Sequence, residues 1–460
     1  MSSANFSDTI YTDTIVAQAT PPGKGGIGII RLSGDDVPDI CRSIAGLLPT
    51  PRLATFRNFV ADDGSTIDQG LALYFGKPNS FTGEHVLEIQ GHGGPVVMNI
   101  LLDRCVQLGA RIARPGEFSE RAFLNDKIDL SQAEAIADLI DSVSGAAAKS
   151  AVRSLQGEFS SRINELTENV IRLRMYVEAA IDFPEEEIDF LTDNVVLEML
   201  TGILEEFENI TRAATQGAML REGVTLVLAG RPNAGKSSLI NLLTGKELSI
   251  VTHIAGTTRD IIEDYIHLDG LPLRLIDTAG LRETTDEIEI EGVRRAQNEI
   301  EKADHLILIV DSVAHKGELL SAVETLQNEV PSHIPVTVVV NKIDLNPGWE
   351  QEIANCPTNW IPVSAKTGDG IDSLRTHLKE ALGYQALEEG TFIARARHID
   401  ALARAEKSVK IGQQRLLVDQ AGELLAEELK SAQQALGEIT GEVTSDDLLG
   451  RIFSSFCIGK

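Results

Sequence analysis

The chain has 460 residues, 43% of them hydrophobic, and carries 41 Lys and Arg against 69 Asp and Glu, a formal net charge of −28 at pH 7. This length exceeds what one hydrophobic core supports and predicts two or three domains, while the acidic balance argues against a broad nucleic-acid footprint and restricts any RNA contact to a local one. No apolar run reaches the length of a membrane span, we expect no signal peptide, and four scattered cysteines without a CxxC pair fit a reducing cytoplasm.

Residues 1–125 predict a small α+β domain. Short strand-like runs separated by Gly, Pro, Ser and Asp occur at 14–19, 28–32, 70–75 and 85–90, and a helix is predicted over 96–108. Two glycine-rich loops, at 21–26 and 91–95, bring backbone close to a neighbouring group. The residues alone leave open whether that group is a bound ligand or whether the loops are plain turns.

Helical spacing dominates two separate parts of the chain. Apolar residues recur at this spacing over 126–219, as in 133–140, and again over 386–460, as in 398–405. A domain whose termini lie close together can be inserted into a loop of another domain. We therefore expect one helical domain interrupted by an inserted unit at 220–385, with two separate helical hairpins as the alternative.

The inserted unit opens on Gly-Arg-Pro-Asn-Ala-Gly-Lys-Ser at 230–237, between an apolar run at 224–229 and a helix-like run at 238–243. Glycines at both ends let backbone N–H groups converge on phosphate oxygens, Lys236 can reach the β and γ phosphates, and the Ser237 hydroxyl can ligate Mg²⁺. The pattern predicts a Ras-like α/β P-loop domain in which the nucleotide contacts Asn233, Ala234, Gly235, Lys236, Ser237 and Ser238.

Three later segments indicate which nucleotide is bound. The segment 277–280 follows a strand-like run and places a carboxylate near Mg²⁺ and a glycine N–H near the γ-phosphate. Asp344, after the β-branched run 336–340, can accept hydrogen bonds from guanine N1–H and the 2-amino group, which adenine lacks, so GTP is favoured over ATP. The loop 364–366 supplies N–H groups for the base O6. The predicted GTP site thus adds Asp277, Thr278, Ala279, Gly280, Asn341, Lys342, Asp344, Ser364, Ala365 and Lys366.

Leu281 stands where Ras-like switches have the glutamine that orients the attacking water. Another polar group must take that role, and the acidic segment that follows offers Glu283, Asp286, Glu287, Glu289 and Glu291. Most of these carboxylates are equally well explained as a solvated charge run at a helix start. Asn233 and oxygens of the segment 252–258 could hold a monovalent cation in place of an arginine finger, and Thr258 would hold Mg²⁺ when GTP is present.

The segment 453–460 closes the given sequence and contains Cys457, three residues before Lys460. A thiol in this position could be exposed and reactive. A buried structural cysteine is the alternative, and the segment matches a prenylation box poorly because Gly459 is not aliphatic.

Six segments, spread over the whole chain, resemble those of the tRNA-modification GTPase MnmE/TrmE family: GRPNAGKSS at 230–238, GTTRD at 256–260, DTAGLR at 277–282, PGEFSERAFLNDK at 115–127, IDFPEEEIDF at 181–190 and FCIGK at 456–460. The GTPase motifs are shared with ribosome-assembly GTPases. The N-terminal and C-terminal segments are far more specific to this family.

The resemblance implies a homodimeric, potassium-dependent GTPase that dimerises through its N-terminal domain. With a flavin-dependent partner usually called MnmG or GidA, which binds FAD, it would modify C5 of the wobble uridine of certain tRNAs by a carboxymethylaminomethyl-type addition. The tRNA would be contacted locally or mainly through the partner. A reduced folate, 5-formyl- or methylene-tetrahydrofolate, would supply the one-carbon unit.

The resemblance also assigns residues to these tasks. It implies K⁺ ligands at Asn233, Thr252, Ile254 and Thr257, of which Thr252 and Thr257 also belong to the GTP site. Glu289 would replace the missing glutamine in catalysis, and Cys457 is a candidate catalytic residue. The folate-binding residues would be Arg31, Glu88, Lys127 and Lys460.

Two other classes of function predict different features. A ribosome-assembly GTPase would need a basic RNA-binding module, whereas the flanking helices of this chain are acidic. A GTP-regulated dimerisation scaffold would make the N-terminal glycine loops plain turns.

Overall fold

The structure is a computed structural model that describes residues 13–182, 194–244, 265–277, 303–315, 318–327, 331, 333–353, 356, 359–384, 392–443, 446–457 and 459. It contains an N-terminal α+β domain, a helical domain and an α/β domain with a second sheet. Within these ranges no helix is both long and apolar enough to cross a membrane.

The N-terminal domain is built on a six-stranded sheet of order β3-β4-β5-β2-β1-β6. The strands are β1 (Ile15–Gln18), β2 (Gly25–Ser33), β3 (Thr55–Val60), β4 (Thr66–Phe75), β5 (Val86–Gly93) and β6 (Arg111–Ile112). All neighbours are antiparallel except the pair β1 and β6. The accompanying helices are α1 (Val37–Ala45), α2 (Pro95–Gln107) and α3 (Glu117–Leu124).

The two faces of this sheet differ in chemistry. Ile30, Leu32, Leu87 and Ile89 share a core with residues of α1 and α2. Because side chains alternate along a strand, Arg31 and its register partner on β5 point to the opposite face. The predicted strands and the predicted helix over 96–108 are confirmed, whereas β3 and β6 were missed because β3 buries little apolar surface and β6 has only two residues.

The described residues that follow form the helices α4 (Leu130–Ile140), α5 (Gly145–Leu155), α6 (Glu158–Asp182) and α7 (Asn194–Glu222). The first begins at a capping box, in which the Asp129 carboxylate accepts from Gln132 N at 2.9 Å and the Gln132 side chain accepts from Asp129 N at 3.0 Å. Ser144 caps α5 by accepting from Ala147 N at 3.1 Å. The last helix extends to Glu222.

The second sheet has the order β12-β11-β10-β7-β9-β8, and its neighbours are parallel except β8 and β9. Helices cover both faces, since two separate apolar clusters flank it. Its elements are β7 (Val224–Ala229), α8 (Lys236–Thr244), β8 (Tyr265–Leu268), β9 (Leu271–Asp277), β10 (His305–Asp311), α9 (Leu319–Gln327), β11 (Val336–Asn341), α10 (Trp349–Ile353), β12 (Trp360–Pro362) and α11 (Ile371–Ala381).

The chain then returns to the helical domain with α12 (Ala396–Asp419), α13 (Gly422–Thr440) and α14 (Asp446–Ser454). One apolar core joins α6 and α7 to α12 and α13, and the rings of Phe159 and Phe392 stack with centroids 4.6 Å apart. This shared core confirms a single helical domain with an inserted α/β domain and excludes the alternative of two separate hairpins. Through Phe453 and Phe456, α14 and its end pack against α4.

The chain crosses between the helical and α/β domains twice, and an arginine next to each crossing contacts Asp138 on α4. Arg221, just before β7, donates from Nε to Asp138 Oδ1 at 2.7 Å. Arg395, where the chain re-enters the helical domain, donates from Nη2 to the same oxygen at 2.7 Å. The Asp138 side chain is only 4% exposed, so this ion cluster is part of the packed junction between the two domains.

Candidate nucleotide-binding site

The loop 230–235 connects the end of β7 to the start of α8, as the sequence predicts. Gly235 has φ 101°, and a Cβ built on it would lie 2.1 Å from Asn341 Nδ2, so only glycine fits. Gly230 is equally constrained, because its Cβ would lie 2.4 Å from the Ile309 carbonyl oxygen. Lys236 is 9% exposed and donates from Nζ to the Gly230 carbonyl oxygen at 2.8 Å. Its ammonium therefore lies across the loop that the sequence predicts to bind phosphates.

Ser237 and Ser238 lie exposed in the first turn of α8. The unpaired N–H groups at a helix start favour anions, and a hydroxyl oxygen is a ligand that Mg²⁺ accepts. Asn233 is exposed in the loop, with φ 63°. These positions suit an oxygen-ligated cation next to bound phosphates. The described ranges contain no cluster of three or more His, Cys, Asp or Glu side chains able to hold a metal.

Asn341, at the end of β11, joins three loops. Its side chain is 1% exposed; Nδ2 donates to the Ala234 carbonyl oxygen at 2.7 Å, and Oδ1 accepts from Lys342 N at 2.8 Å and from Ala365 N at 3.0 Å. These three partners are backbone groups. The side chain thereby fixes the relative positions of the phosphate loop, the segment 341–344 and the loop 364–366.

Asp344 lies beside the loop that follows β12. Its Oδ1 accepts from Ser364 Oγ at 2.7 Å, although Asp344 itself is exposed. The buried Ser364 hydroxyl also accepts from Thr367 N at 3.1 Å and Lys366 N at 3.4 Å, while the Lys366 side chain is exposed. The carboxylate predicted to recognise the base is therefore held by a tightly bonded loop.

Asp311 is a residue that sequence reasoning missed. It ends β10 and pairs in register with Asn341 on β11, and its Oδ2 accepts from Lys342 Nζ at 2.5 Å. Burial opposes ionisation, but the Lys342 ammonium and the backbone N–H groups of Val313 and Ala314 outweigh it and lower the pKa of Asp311. The available signal was its position, because it is the polar residue at the carboxyl end of a buried strand.

A cavity of about 160 Å³ lies between the phosphate loop and the end of β10. Its lining includes Arg231, Pro232, Ala234, Asp311, Ala314 and His315.

The N-terminal sheet holds two of the predicted folate residues together. Arg31 donates from Nε and Nη2 to Glu88 Oε1 at 3.1 and 2.9 Å, and its guanidinium lies 5.9 Å from the centroid of the Phe118 ring. The Arg31 and Glu88 side chains are 27% and 16% exposed. This partly exposed charged pair offers donors and acceptors to a polar ligand, while Phe118 is fully buried beneath the guanidinium.

The end of the chain reaches the same pair. Gly459 is buried and its carbonyl oxygen accepts from Arg31 Nη1 at 3.4 Å. Cys457 is exposed, and its carbonyl oxygen accepts from Gly116 N at 3.4 Å. Lys127 is exposed beside Gly83, whose Cβ, if built, would lie 3.2 Å from Lys127 Cε. The structure thus brings together Arg31, Glu88 and the C-terminal segment.

Asp277, a predicted residue of the nucleotide site, ends β9, with Leu228 as its register partner. The predictions at Thr252, Ile254, Thr257, Thr258, Thr278, Ala279, Gly280, Leu281, Glu283, Asp286, Glu287, Glu289, Glu291 and Lys460 lie outside the described residues.

Two family models match the chain. The model of the MnmE helical domain matches residues 130–457, and that of the GTP-binding protein TrmE N-terminus matches residues 14–127. Among solved structures, the G domain of the FeoB iron transporter of T. maritima is 27% identical and covers 34% of this chain and 98% of that chain, with a TM-score of 0.25.

Curated relatives match almost the full length. The tRNA modification GTPase MnmE of Haemophilus influenzae (strain PittEE) is 57% identical over 450 residues, which cover 97% of this chain and 100% of that protein. The protein of the same name from Proteus mirabilis (strain HI4320) is 56% identical over 451 residues, covering 98% of this chain and 99% of that protein. The chain belongs to the MnmE/TrmE family of tRNA modification GTPases.

Proposed function

We propose that this chain, a GTP hydrolase of tRNA modification, binds guanine nucleotides where β7, β10, β11 and β12 end. The observation that carries the proposal is the Asn341 side chain, which ties the phosphate loop to both loops predicted to contact the base. In this proposal Asp344 accepts from guanine N1–H and the 2-amino group, and an N–H group of the loop 364–366 turns from its present acceptor to the base O6. For Ala365 that present acceptor is Asn341 Oδ1. Ordering the three loops in advance lowers the entropic cost of nucleotide binding.

Hydrolysis would use residues on both sides of the phosphates. Lys236 would leave the Gly230 carbonyl oxygen for the β and γ phosphates, Ser237 and Thr258 would hold Mg²⁺, and Glu289 would orient the attacking water. The proposed K⁺ ligands are Asn233, Thr252, Ile254 and Thr257. The two cations would supply positive charge where negative charge develops on the transferred phosphoryl group.

We assign the modification chemistry to the N-terminal domain and a partner. A reduced folate would bind at Arg31 and Glu88, with Lys127, Lys460 and the exposed Cys457 as further candidates, and a flavin-dependent subunit would act with it on C5 of the wobble uridine. The partly exposed pair of Arg31 and Glu88 and the contact of Arg31 with the Gly459 carbonyl oxygen support this site. A homodimer, a cytoplasmic location and domain boundaries near 125, 219 and 385 belong to the same proposal.

The test is mass spectrometry of tRNA nucleosides from cells that lack this chain, compared with cells that carry it on a plasmid. We expect loss of C5-modified wobble uridine, restored by the plasmid copy. Plasmids encoding Arg31→Ala should fail to restore it, whereas Arg52→Ala, at an exposed arginine that donates to the Asn79 carbonyl oxygen, should restore it. Unchanged nucleosides in the deletion strain would contradict the assignment to C5 of wobble uridine.

A further inference from the structure

The pair Lys342–Asp311 is held from both sides. Asp311 Oδ1 accepts from Val313 N at 2.9 Å and from Ala314 N at 3.3 Å, so the backbone after β10 fixes the carboxylate before it meets the lysine. Lys342 is held in turn by its own backbone, because its N–H donates to Asn341 Oδ1 and its φ of 65° lies in the left-handed region. The carboxylate is therefore fixed independently of the lysine, and the lysine side chain extends from a fixed backbone position.

The surroundings make this pair stronger than an ordinary surface ion pair. Side-chain exposure is 16% for Asp311 and 31% for Lys342, and the bond length is 2.5 Å. Lysine loses substantial rotamer freedom when its side chain is fixed. A partner that fixes it before the ligand arrives removes that cost from binding.

We propose that Asp311 is a positioning residue for the guanine nucleotide, holding Lys342 so that its methylene chain forms one side of the base pocket. The proposal rests on the proposed function of residues 341–344 as the base site. Asp311 does not itself touch the nucleotide. It acts by fixing the lysine next to Asn341 and by neutralising the ammonium in a partly desolvated setting.

A purely structural role would give a different result from a positioning role. If the pair only stabilised the fold, removing its charge would lower the free energy of unfolding and leave the nucleotide affinity of the folded protein unchanged. If it positions Lys342, nucleotide affinity falls while the rate of the chemical step stays the same. Separate measurements of KM and kcat for GTP hydrolysis distinguish the two roles.

The test uses the full-length chain with Asp311→Asn, which keeps the shape and removes the charge. Titration with a fluorescent GDP should show affinity reduced about tenfold, with KM for GTP raised and kcat unchanged. Asp311→Glu should restore most of the affinity. In a Lys342→Met background, Asp311→Asn should have no further effect, because the lysine it positions is gone.

A matched control is Asp304→Asn, at the opposite end of the same strand, where Asp304 Oδ2 accepts from Thr225 N at 2.8 Å. This variant should bind nucleotide as the wild type does. Unchanged GDP affinity in Asp311→Asn, or the same loss in both Lys342 backgrounds, would overturn the proposal. Asp344→Asn tests the underlying base site separately: it should move preference from guanine to xanthine nucleotides, and failure to do so would refute that site rather than the role of Asp311.

Discussion

The Asn341 side chain donates from Nδ2 to the Ala234 carbonyl oxygen at 2.7 Å, across 107 residues of sequence. Ala234 belongs to the phosphate loop and Asn341 to the segment predicted to bind the base, so this one bond links the two halves of the candidate nucleotide site. The same side chain accepts from two further backbone N–H groups.

Asn341→Ala should lower GDP affinity by at least about tenfold, because three backbone groups lose their partner and the loops lose their fixed arrangement. We also expect the free energy of unfolding of the α/β domain to fall by about 1–3 kcal/mol. The control is Asn359→Ala, which removes a bond of 2.9 Å from Nδ2 to the Val336 carbonyl oxygen at the other end of β11. Equal nucleotide affinity in both variants, measured by fluorescent-nucleotide titration, would contradict this role.

Two glycines of α7 should respond to alanine in opposite ways. A Cβ at Gly217 would lie 1.8 Å from the Phe392 carbonyl oxygen, so Gly217→Ala must push apart α7 and the segment that re-enters the helical domain, at a cost of about 1–3 kcal/mol or more. Gly202 has nothing within 4 Å of such a Cβ, and Gly202→Ala should stabilise the helix by about 0.5–1 kcal/mol. Urea denaturation followed by circular dichroism measures both. If both substitutions changed the free energy of unfolding in the same direction, the close approach of Gly217 to the Phe392 carbonyl oxygen would be contradicted.

Removing the carboxylate of Asp138 should strongly destabilise the junction between the helical and α/β domains. Asp138→Ala removes the acceptor that Arg221 and Arg395 share. Because Arg395 keeps Glu134 and Arg221 is partly exposed, we expect a loss of about 3 kcal/mol, the lower end of the range for a broken buried pair. Asp141→Ala, at an exposed position of the same region, should change the free energy of unfolding by less than about 0.5 kcal/mol. Thermal unfolding that is indistinguishable for the two variants would contradict the importance of this cluster.

His305 should make the stability of the α/β domain depend on pH. Burial, with a smaller effect of the neighbouring His377, lowers the pKa of His305 to about 4 from the ordinary value of 6.5. Between pH 6.5 and 4, His305 is therefore protonated in the unfolded chain and neutral in the folded chain. The contribution of the neutral side chain to the free energy of unfolding is complete above pH 6.5 and is lost as the pH falls towards 4. The free energy of unfolding should fall by up to about 3 kcal/mol over this range.

The variant His305→Gln tests this, because glutamine can keep a bond to Thr337 Oγ1, which now lies 2.8 Å from His305 Nε2, but cannot titrate. Both tryptophans, Trp349 and Trp360, lie in the α/β domain, so their fluorescence during urea denaturation reports this domain alone. Between pH 6.5 and 4, the free energy of unfolding should fall less for His305→Gln than for the wild type. His333→Gln, at an exposed histidine, should retain the wild-type loss. Identical pH profiles for His305→Gln and the wild type would refute the assignment.

Local patterns were sufficient for most elements. The apolar run at 224–229 and the β-branched run at 336–340 predicted β7 and β11, and the glycine and lysine spacing at 230–236 placed the phosphate loop between a strand and a helix. Strand β3 was missed because it lies at the sheet edge with only Phe59 fully buried, so it lacks a clear alternation of apolar and polar residues. Asp311 was missed because no motif marks a carboxylate whose partner directly follows the neighbouring strand.

The sequence by itself determined the class of each domain, the order of the GTPase motifs and the family, since these depend on residue types at short, fixed spacing. Only the tertiary structure decided which distant groups meet. Arg31 reaches the Gly459 carbonyl oxygen across 428 residues, and Lys342 reaches Asp311 across 31. Such contacts depend on strand order and helix packing, in which β10 lies between β7 and β11, and this order arises from burial of the whole core rather than from any local run of residues.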